Sequence, residues 1–308
     1  MLSIIIPSRV SEFLQKTIDD LLLKAEGEVE IIVVFDGYWP SPMIKDDPRV
    51  RFIHHGTSRV CPGMRDSINA GVSMSKGKYI MKIDEHCMVD QGYDLKLIAD
   101  CEDNMVVIPR RYRLDVDNWT VVEDGRPPID YMYIAYPYER PYDITCGLHG
   151  AEWKQRYFER KDILIDDTMA WQGSCYFMTR KWWNFIGPMD SDLYGTFTHE
   201  AQEIGFKTQF SGGRLVVNKK TWYAHFHKGQ RGKGYGFSNE QWRQHKIGSE
   251  RGRLFCIDHW INNKWDKRVH DFDWLLEMYW PVPTWSEDWR TRLAIDELTD
   301  YSHYVKQE

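Results

Sequence analysis

The chain has 308 residues, 42% of them hydrophobic and 28% charged, with a formal net charge of −6. That length holds one large or two modest domains around a substantial core, and that composition excludes a disordered chain. Six cysteines stand apart with no C-x-x-C pair, which excludes a disulfide framework and points to reduced thiols in a cytoplasmic protein.

Leu2 to Ile6 reads as a buried strand. The opening apolar run is broken by Pro7 and Ser8-Arg9 and is too short for a signal peptide or a membrane span. Ser11 can cap a helix whose apolar face includes Leu14, Ile18, Leu21 and Leu22. Glu30 to Phe35 is a second strand, stopped by Asp36-Gly37, and Val50 to Ile53 a short third. Gly63 to Met74 follows as a helix, with Met64, Ile68 and Val72 on one face. Tyr79 to Ile83 is a strand, Asp94 to Cys101 a helix and Met105 to Ile108 a strand. Repeated strand–helix–strand units imply an α/β fold, a mostly parallel sheet with helices on its faces.

Periodicity fades from Pro109 to Asp167, where Pro127-Pro128, Pro137 and Pro141 are interleaved with tyrosines, as in a long structured loop region. Gly173 to Met178 is strand-like, Lys181 to Ile186 and Thr198 to Gly205 helical, and Leu215 to Val217 a short strand. His225 to Phe237 is rich in Gly, Lys and Arg and reads as a mobile loop. The Trp-rich tail from Asn239 onward reads as helical. Charge is uneven: Lys207 to Arg268 holds 14 Lys and Arg against four acids, +10, so the rest carries −16. Such a segment suits an anionic ligand, or is a solvated, merely uneven surface.

Asp84-Glu85-His86 follows the strand ending at Ile83. A carboxylate and an imidazole two residues apart at a strand's carboxyl end point to one side, where open α/β sheets bind ligands. That donor pair suits a divalent ion such as Mn, which in turn can neutralise a diphosphate. The plainer alternative is a strand-end turn with two solvated polar groups.

Pro7-Ser8-Arg9 after the first strand, Asp36 after the second, Arg65 and Asn69 on the next helix and the D-x-H triplet together resemble the nucleotide-sugar-binding half of GT-A glycosyltransferases, in the family-2 pattern. The resemblance spans roughly residues 2 to 230. Ile83-Asp84-Glu85-His86-Cys87 also resembles the metal motif of the polypeptide N-acetylgalactosaminyltransferases. Gln172-Gly173-Ser174-Cys175-Tyr176-Phe177 with Ile186-Gly187-Pro188-Met189-Asp190 resembles the acceptor-side segment of these enzymes. The chain departs from them at Thr198-His199-Glu200-Ala201, where that family has Gly-Gly-Glu-Asn, and shows no lectin-like segment afterwards.

The resemblance implies a GT-A, Rossmann-like fold with a nucleotide-sugar-binding half (1–110), an acceptor-side half of the same domain (111–237) and a helical, Trp-rich C-terminal extension (238–308). It implies a metal-dependent hexosyl- or N-acetylhexosaminyltransferase moving a sugar from a UDP-sugar to a hydroxyl. Pro7, Ser8 and Arg9 would frame the base and ribose, and Asp36 would accept from a uracil N–H. Arg65 would reach the diphosphate or steady the metal-site carboxylate. Asp84, His86 and His225 would hold Mn or Mg, with His227 the alternative to His225, and Lys228, Arg231 and Lys233 could close over the diphosphate. Glu200 would be the catalytic base of an inverting enzyme, while the D-x-H and late-histidine likeness points to retention, so both outcomes stand. Asp36-Gly37 is equally a turn dipeptide, and Glu200 equally an acid at a helix N-terminus.

The chain resembles stand-alone, phage-type members of the family. Its basic segment and aromatics suit DNA carrying a hydroxymethylated pyrimidine as acceptor. A glycan, a lipid-linked saccharide or a protein side chain is the alternative. A nucleotidyltransferase would share the architecture but should carry a Gly-rich, Lys/Arg-bearing loop after the first strand, which is not seen. A non-catalytic nucleic-acid-binding module would need the basic segment but not Asp84, His86 and His225 together.

Overall fold

A computed structural model describes residues 1–9, 12–57, 61–137, 147–227 and 238–296. The chain opens with β1 (Leu2–Ser8), α1 (Leu14–Lys24) and β2 (Val29–Asp36), and both strands bury every residue. Near-continuous apolar runs do this when helices cover both faces of a parallel sheet. α1 starts after Phe13 with no side-chain cap and turns Leu14, Ile18 and Leu21 into the core; Ser11, the expected cap, lies outside the described residues.

β3 (Val50–His55), α2 (Met64–Met74), β4 (Tyr79–Ile83), β5 (Cys87–Val89), α3 (Tyr93–Ala99), β6 (Met105–Asp115) and β7 (Thr120–Val121) follow. The stretch expected to be loop carries β8 (Met132–Ile134), β9 (Gly150–Glu152), α4 (Lys154–Arg160) and β10 (Ile165–Asp167). Next come β11 (Cys175–Thr179), α5 (Arg180–Ile186), α6 (Ser191–Tyr194), α7 (Glu200–Phe210) and β12 (Arg214–His225). α8 (Asn239–Ile261), α9 (Phe272–Tyr279) and α10 (Trp289–Asp296) end the described chain, and Ser238 with Gln241 forms a capping box at the start of α8.

Two strands run longer than their apolar cores suggest. β6 continues past Pro109 to Asp115, and β12 past Val217 to His225. Their parallel register shifts between Asn218 and Trp222, next to the Asn218–Pro109 pair, because a proline gives the ladder no N–H. His225 is therefore the last residue of a strand and not the first of a loop.

The main path of the sheet runs β10-β12-β6-β11-β4-β1-β2-β3. β3, β2, β1 and β4 are mutually parallel, and β12 is parallel to β6; β11 runs against both β4 and β6. The fold is the expected mostly parallel α/β sheet flanked by helices, and the carboxyl ends of β1, β2, β4 and β12 share one edge. Among the described residues no helix is long and apolar enough to cross a membrane, and Cys61, Cys87, Cys101, Cys175 and Cys256 are free thiols.

The C-terminal helices close a core of their own with the 131–217 segment. Trp260, Phe272, Trp285 and Trp289 pack with Tyr131, Tyr136, Phe206 and Phe210. Trp260 is 1% exposed and donates its Nε1–H to the Tyr194 hydroxyl at 2.6 Å. Trp260→Ala should cost about 3–5 kcal/mol by cavity formation and the lost bond. Urea unfolding measures it; a loss below about 1 kcal/mol would show that these helices are not part of the core.

Candidate active site

Pro7, Ser8, Arg9, Asp36, Asp84 and His86 reach one cleft of about 430 Å³, joined by Glu200 and His225. β1 and β2 deliver the first four at their carboxyl ends, and the turn after β4 delivers Asp84 and His86. Asp84 N–H donates to the Ser174 carbonyl at 2.9 Å, which ties this turn to the segment entering β11.

The residues at the carboxyl ends of β1 and β2 are held by one another. The Ser8 hydroxyl bonds both Glu85 and Tyr38. Arg9 donates to the Asp36 carbonyl at 2.8 Å and to Cys61 Sγ at 2.6 Å, and its guanidinium lies 3.7 Å from the Asp36 carboxylate. Asp36 also accepts the Gly63 N–H at 3.1 Å, pinning the start of α2. Gly63 takes φ 93°, which a side chain would resist, and a Cβ there would strike Thr196. Burial raises the Asp36 carboxyl, while the Gly63 bond and Arg9 pull it back.

Arg65 lies elsewhere. It is fully buried, ion-paired with Glu203, bonded to the Thr198 carbonyl at 2.8 Å and stacked 4.5 Å from the Tyr194 ring centroid. The expected reach to the diphosphate or to the metal-site carboxylate is corrected: Arg65 braces the turn that precedes Glu200 from beneath. Asn69 likewise pins the acceptor-side segment, exchanging hydrogen bonds with Met189 at 2.8 and 3.0 Å. Lys228, Arg231 and Lys233 lie outside the described residues.

Asp84, His86 and His225 place one ligand atom each within 4.8 Å of one another. His225 pairs with Cys87 across β5 and β12, which sets its ring 4.8 Å from that of His86. His225 Nε2 faces Asp84 Oδ2 at 3.2 Å, and its Nδ1 is buried with no hydrogen bond among the described residues. His227 instead accepts from Arg111 at 2.6 Å. Burial would raise the Asp84 carboxyl, but Lys82 and His225 hold it well below the usual range. Burial pushes His225 down to about 4 despite Asp84, leaving a neutral imidazole. An ionised carboxylate with two imidazoles is a donor set that first-row divalent ions accept, so the residues present fit the implied metal.

Glu200 opens α7 beneath the acceptor-side segment. Its Oε2 lies 3.3 Å from Lys82 Nζ, and burial raises its carboxyl against the pull of that lysine. A Cβ on Gly173 would come within 2.7 Å of the same oxygen, so only glycine admits this approach. His199, where the resembling family has glycine, takes φ 57°. That left-handed backbone is a position glycine fills without strain and histidine only at a cost.

The sequence reading gave no role to Lys82, Gly173 or the cleft walls His149, His199 and His245, although Gly173 and His199 stand in the motifs it quoted. Lys82 had a signal: a lysine inside an apolar central strand is almost never buried without partners. The basic segment largely turns inward or pairs. Lys207 meets Glu203, Arg214 meets Asp167, Lys220 meets Asp100, and Lys219 caps the Arg160 carbonyl. Arg243, Lys246 and Lys264 pair with acids of α8.

The sequence profile described as Glycosyl transferase family 2 matches residues 3–181. The uncharacterized glycosyltransferase EpsJ of Bacillus subtilis (strain 168) is 30% identical over 115 residues, 35% of this chain and 32% of that protein. The chain thus spans about a third of that curated relative. The crystal structure of GalNAc-T7 with UDP, GalNAc and Mn2+ superposes with a TM-score of 0.61 at 14% identity, covering 99% of this chain and 58% of that one. That likeness is one of fold. S. aureus TarS (1–349) superposes at only 0.41, with 12% identity over 73% of this chain and 59% of that one.

His199 and His225 stay neutral in the fold down to about 3 and about 4, whereas free histidine protonates near 6.5. Below that value the unfolded chain binds more protons than the folded one. Stability is therefore full above it and falls as pH drops toward 4, by about 1.4 kcal/mol per pH unit for each imidazole. Urea unfolding of chelator-treated protein between about pH 7 and about pH 5 reads this slope. His199→Asn should flatten it measurably but not abolish it, because burial also lowers His54, His227, His245 and His259, and an unaltered slope would remove His199 from the account.

Proposed function

The chain belongs to glycosyl transferase family 2, and we propose that it moves a sugar from a UDP-sugar to an acceptor hydroxyl with a divalent ion at Asp84, His86 and His225. The observation that carries this reading is the convergence of those three residues, from two separate strand ends, in the cleft that also holds Pro7, Ser8, Arg9 and Asp36. The fold shared with a UDP- and Mn2+-bound relative agrees with it.

When bound, the ion supplies positive charge against the diphosphate of the departing UDP. The chain's own residues do the rest. Asp36, lining the cleft at the end of β2, receives the uracil edge, and Pro7, Ser8 and Arg9 shape the base and ribose pocket. Glu200 lines the cleft with Oε2 on Lys82, and its proposed role is that of the carboxylate that takes an acceptor proton. Arg65 and Asn69 hold the turns carrying Glu200 and Met189. Lys228, Arg231 and Lys233 are proposed to cover the diphosphate.

The acceptor reading drawn from the basic segment, the aromatics and the phage-type likeness, a hydroxymethylated pyrimidine in DNA, leans on a segment whose described cations are mostly partnered within the fold. It enters the test as one arm beside glycans, lipid-linked saccharides and proteins. UDP release from a panel of UDP-sugars should require Mn2+ or Mg2+, stop with chelator, and fall about a hundredfold or more in Asp84→Asn. Stimulation by hydroxymethylated DNA over plain DNA would assign that acceptor. Release unaffected by chelator and by Asp84→Asn would overturn the proposal.

A further inference from the structure

Lys82 is the one charged residue of β4, is 1% exposed, and contacts two of the carboxylates that line the cleft, Asp84 and Glu200. Its Nζ lies 2.7 Å from Asp84 Oδ1, 3.3 Å from Glu200 Oε2 and 2.6 Å from the Gly173 carbonyl. Three oxygens complete the three donors of an ammonium, with no water needed. Each oxygen comes from a different piece of the site: the turn after β4, the start of α7, and the loop entering β11. No other described lysine or arginine contacts either carboxylate within ion-pair distance.

We propose that Lys82 is a positioning residue that the metal-site carboxylate and Glu200 share, holding the donor and acceptor halves of the cleft in register and competing with the ion for Asp84. The inference rests on the proposed metal-dependent transfer and deepens it. With Oδ1 held by Lys82, Asp84 offers Oδ2, the oxygen already facing His225, to the ion. The cation thus selects which oxygen of Asp84 becomes a ligand. It also tempers the site, because an ammonium in contact with a ligand repels an incoming divalent ion. Glu200 works in the opposite sense, drawing part of the ammonium's charge away from Asp84.

Two consequences differ from those of a lysine that merely packs. Lys82→Met frees Asp84 and deletes a positive charge, so Mn2+ should bind more tightly, on the order of tenfold. Sugar transfer should nevertheless fall, because Asp84 and Glu200 lose their common anchor. Glu200→Gln, nearly isosteric, returns the whole ammonium to Asp84, and Mn2+ should bind several-fold more weakly. Lys82→Arg keeps the charge and should restore Mn2+ affinity toward that of the unaltered protein.

The experiment is an Mn2+ titration of the full chain followed by electron paramagnetic resonance of the free ion, without donor or acceptor, with thermal unfolding of each variant alongside. Tighter binding in folded Lys82→Met and weaker binding in Glu200→Gln support the proposal. Unchanged or weaker binding in folded Lys82→Met overturns it. Should Lys82→Met fail to fold, Glu200→Gln decides, and Mn2+ affinity unaltered there overturns it equally. A wild-type chain that binds no Mn2+ overturns it too. Because the readout needs no turnover, a wild type that binds Mn2+ but transfers no sugar sinks the proposed activity, while the affinities of the Lys82 and Glu200 variants still decide the role of Lys82.

Discussion

The antiparallel insertion of β11 between the parallel strands β4 and β6 organises the site. β11 lies against β4 with Cys175 opposite Ile83, so the loop that enters β11 runs beside the turn that leaves β4. Ser174 accepts the Asp84 N–H, and Gly173 presents its carbonyl to Lys82. A parallel strand in that place would have put the loop at the far end of the sheet. The charges then follow: Lys82 and Glu200 are buried and Asp84 is 21% exposed, and such buried charges are tolerable only as a mutually bonded set, since an isolated buried ion is far costlier than a paired one.

A second constraint places the late histidine. β12 runs parallel to β6 and shifts register beside Pro109, then pairs with the short β5. That pairing sets His225 opposite Cys87, one residue from His86. His227, two residues further on, could equally have been a ligand by sequence; Arg111 takes it instead. Which imidazole faces Asp84 is thus decided by strand pairing and by a neighbouring guanidinium, and neither is local to the histidines.

Beneath the cleft, support comes from buried charge and from aromatic mass. Arg65, Glu203 and Lys207 form a buried ionic group under the turn before Glu200. The aromatic helices after Asn239 seal the second core, and α8 brings His245 to the cleft wall. The tail is therefore continuous with the 131–217 segment: removing residues after Asp258 would take Trp260, Phe272 and Leu275 out of a shared core, not merely reshape a cleft.

By itself the sequence determined what local patterns can carry. Near-continuous apolar runs specified β1, β2 and β4, helical spacing specified α1 and α2, and the D-x-H triplet at a strand's end marked where chemistry would sit, because strand ends in such sheets face one edge. It also marked Glu200, on an expected helix, and His225 through their likeness to a family, though it placed His225 in a loop and not on the strand that carries it. Tertiary structure decided the rest. Arg65 was expected at the diphosphate or the metal-site carboxylate, but burial against Tyr194 and Glu203 made it a brace. The cations from Lys207 onward looked like a patch, but Arg214 and Lys220 find acids far off in the chain, at Asp167 and Asp100, while Arg243, Lys246 and Lys264 pair within α8 or beside it. Lys82 was visible as an oddity in a strand, yet its meaning depends on Glu200, 118 residues away. A single charge in a sequence has no partner until the fold supplies one, and in a low-dielectric cleft the partner decides what the charge does.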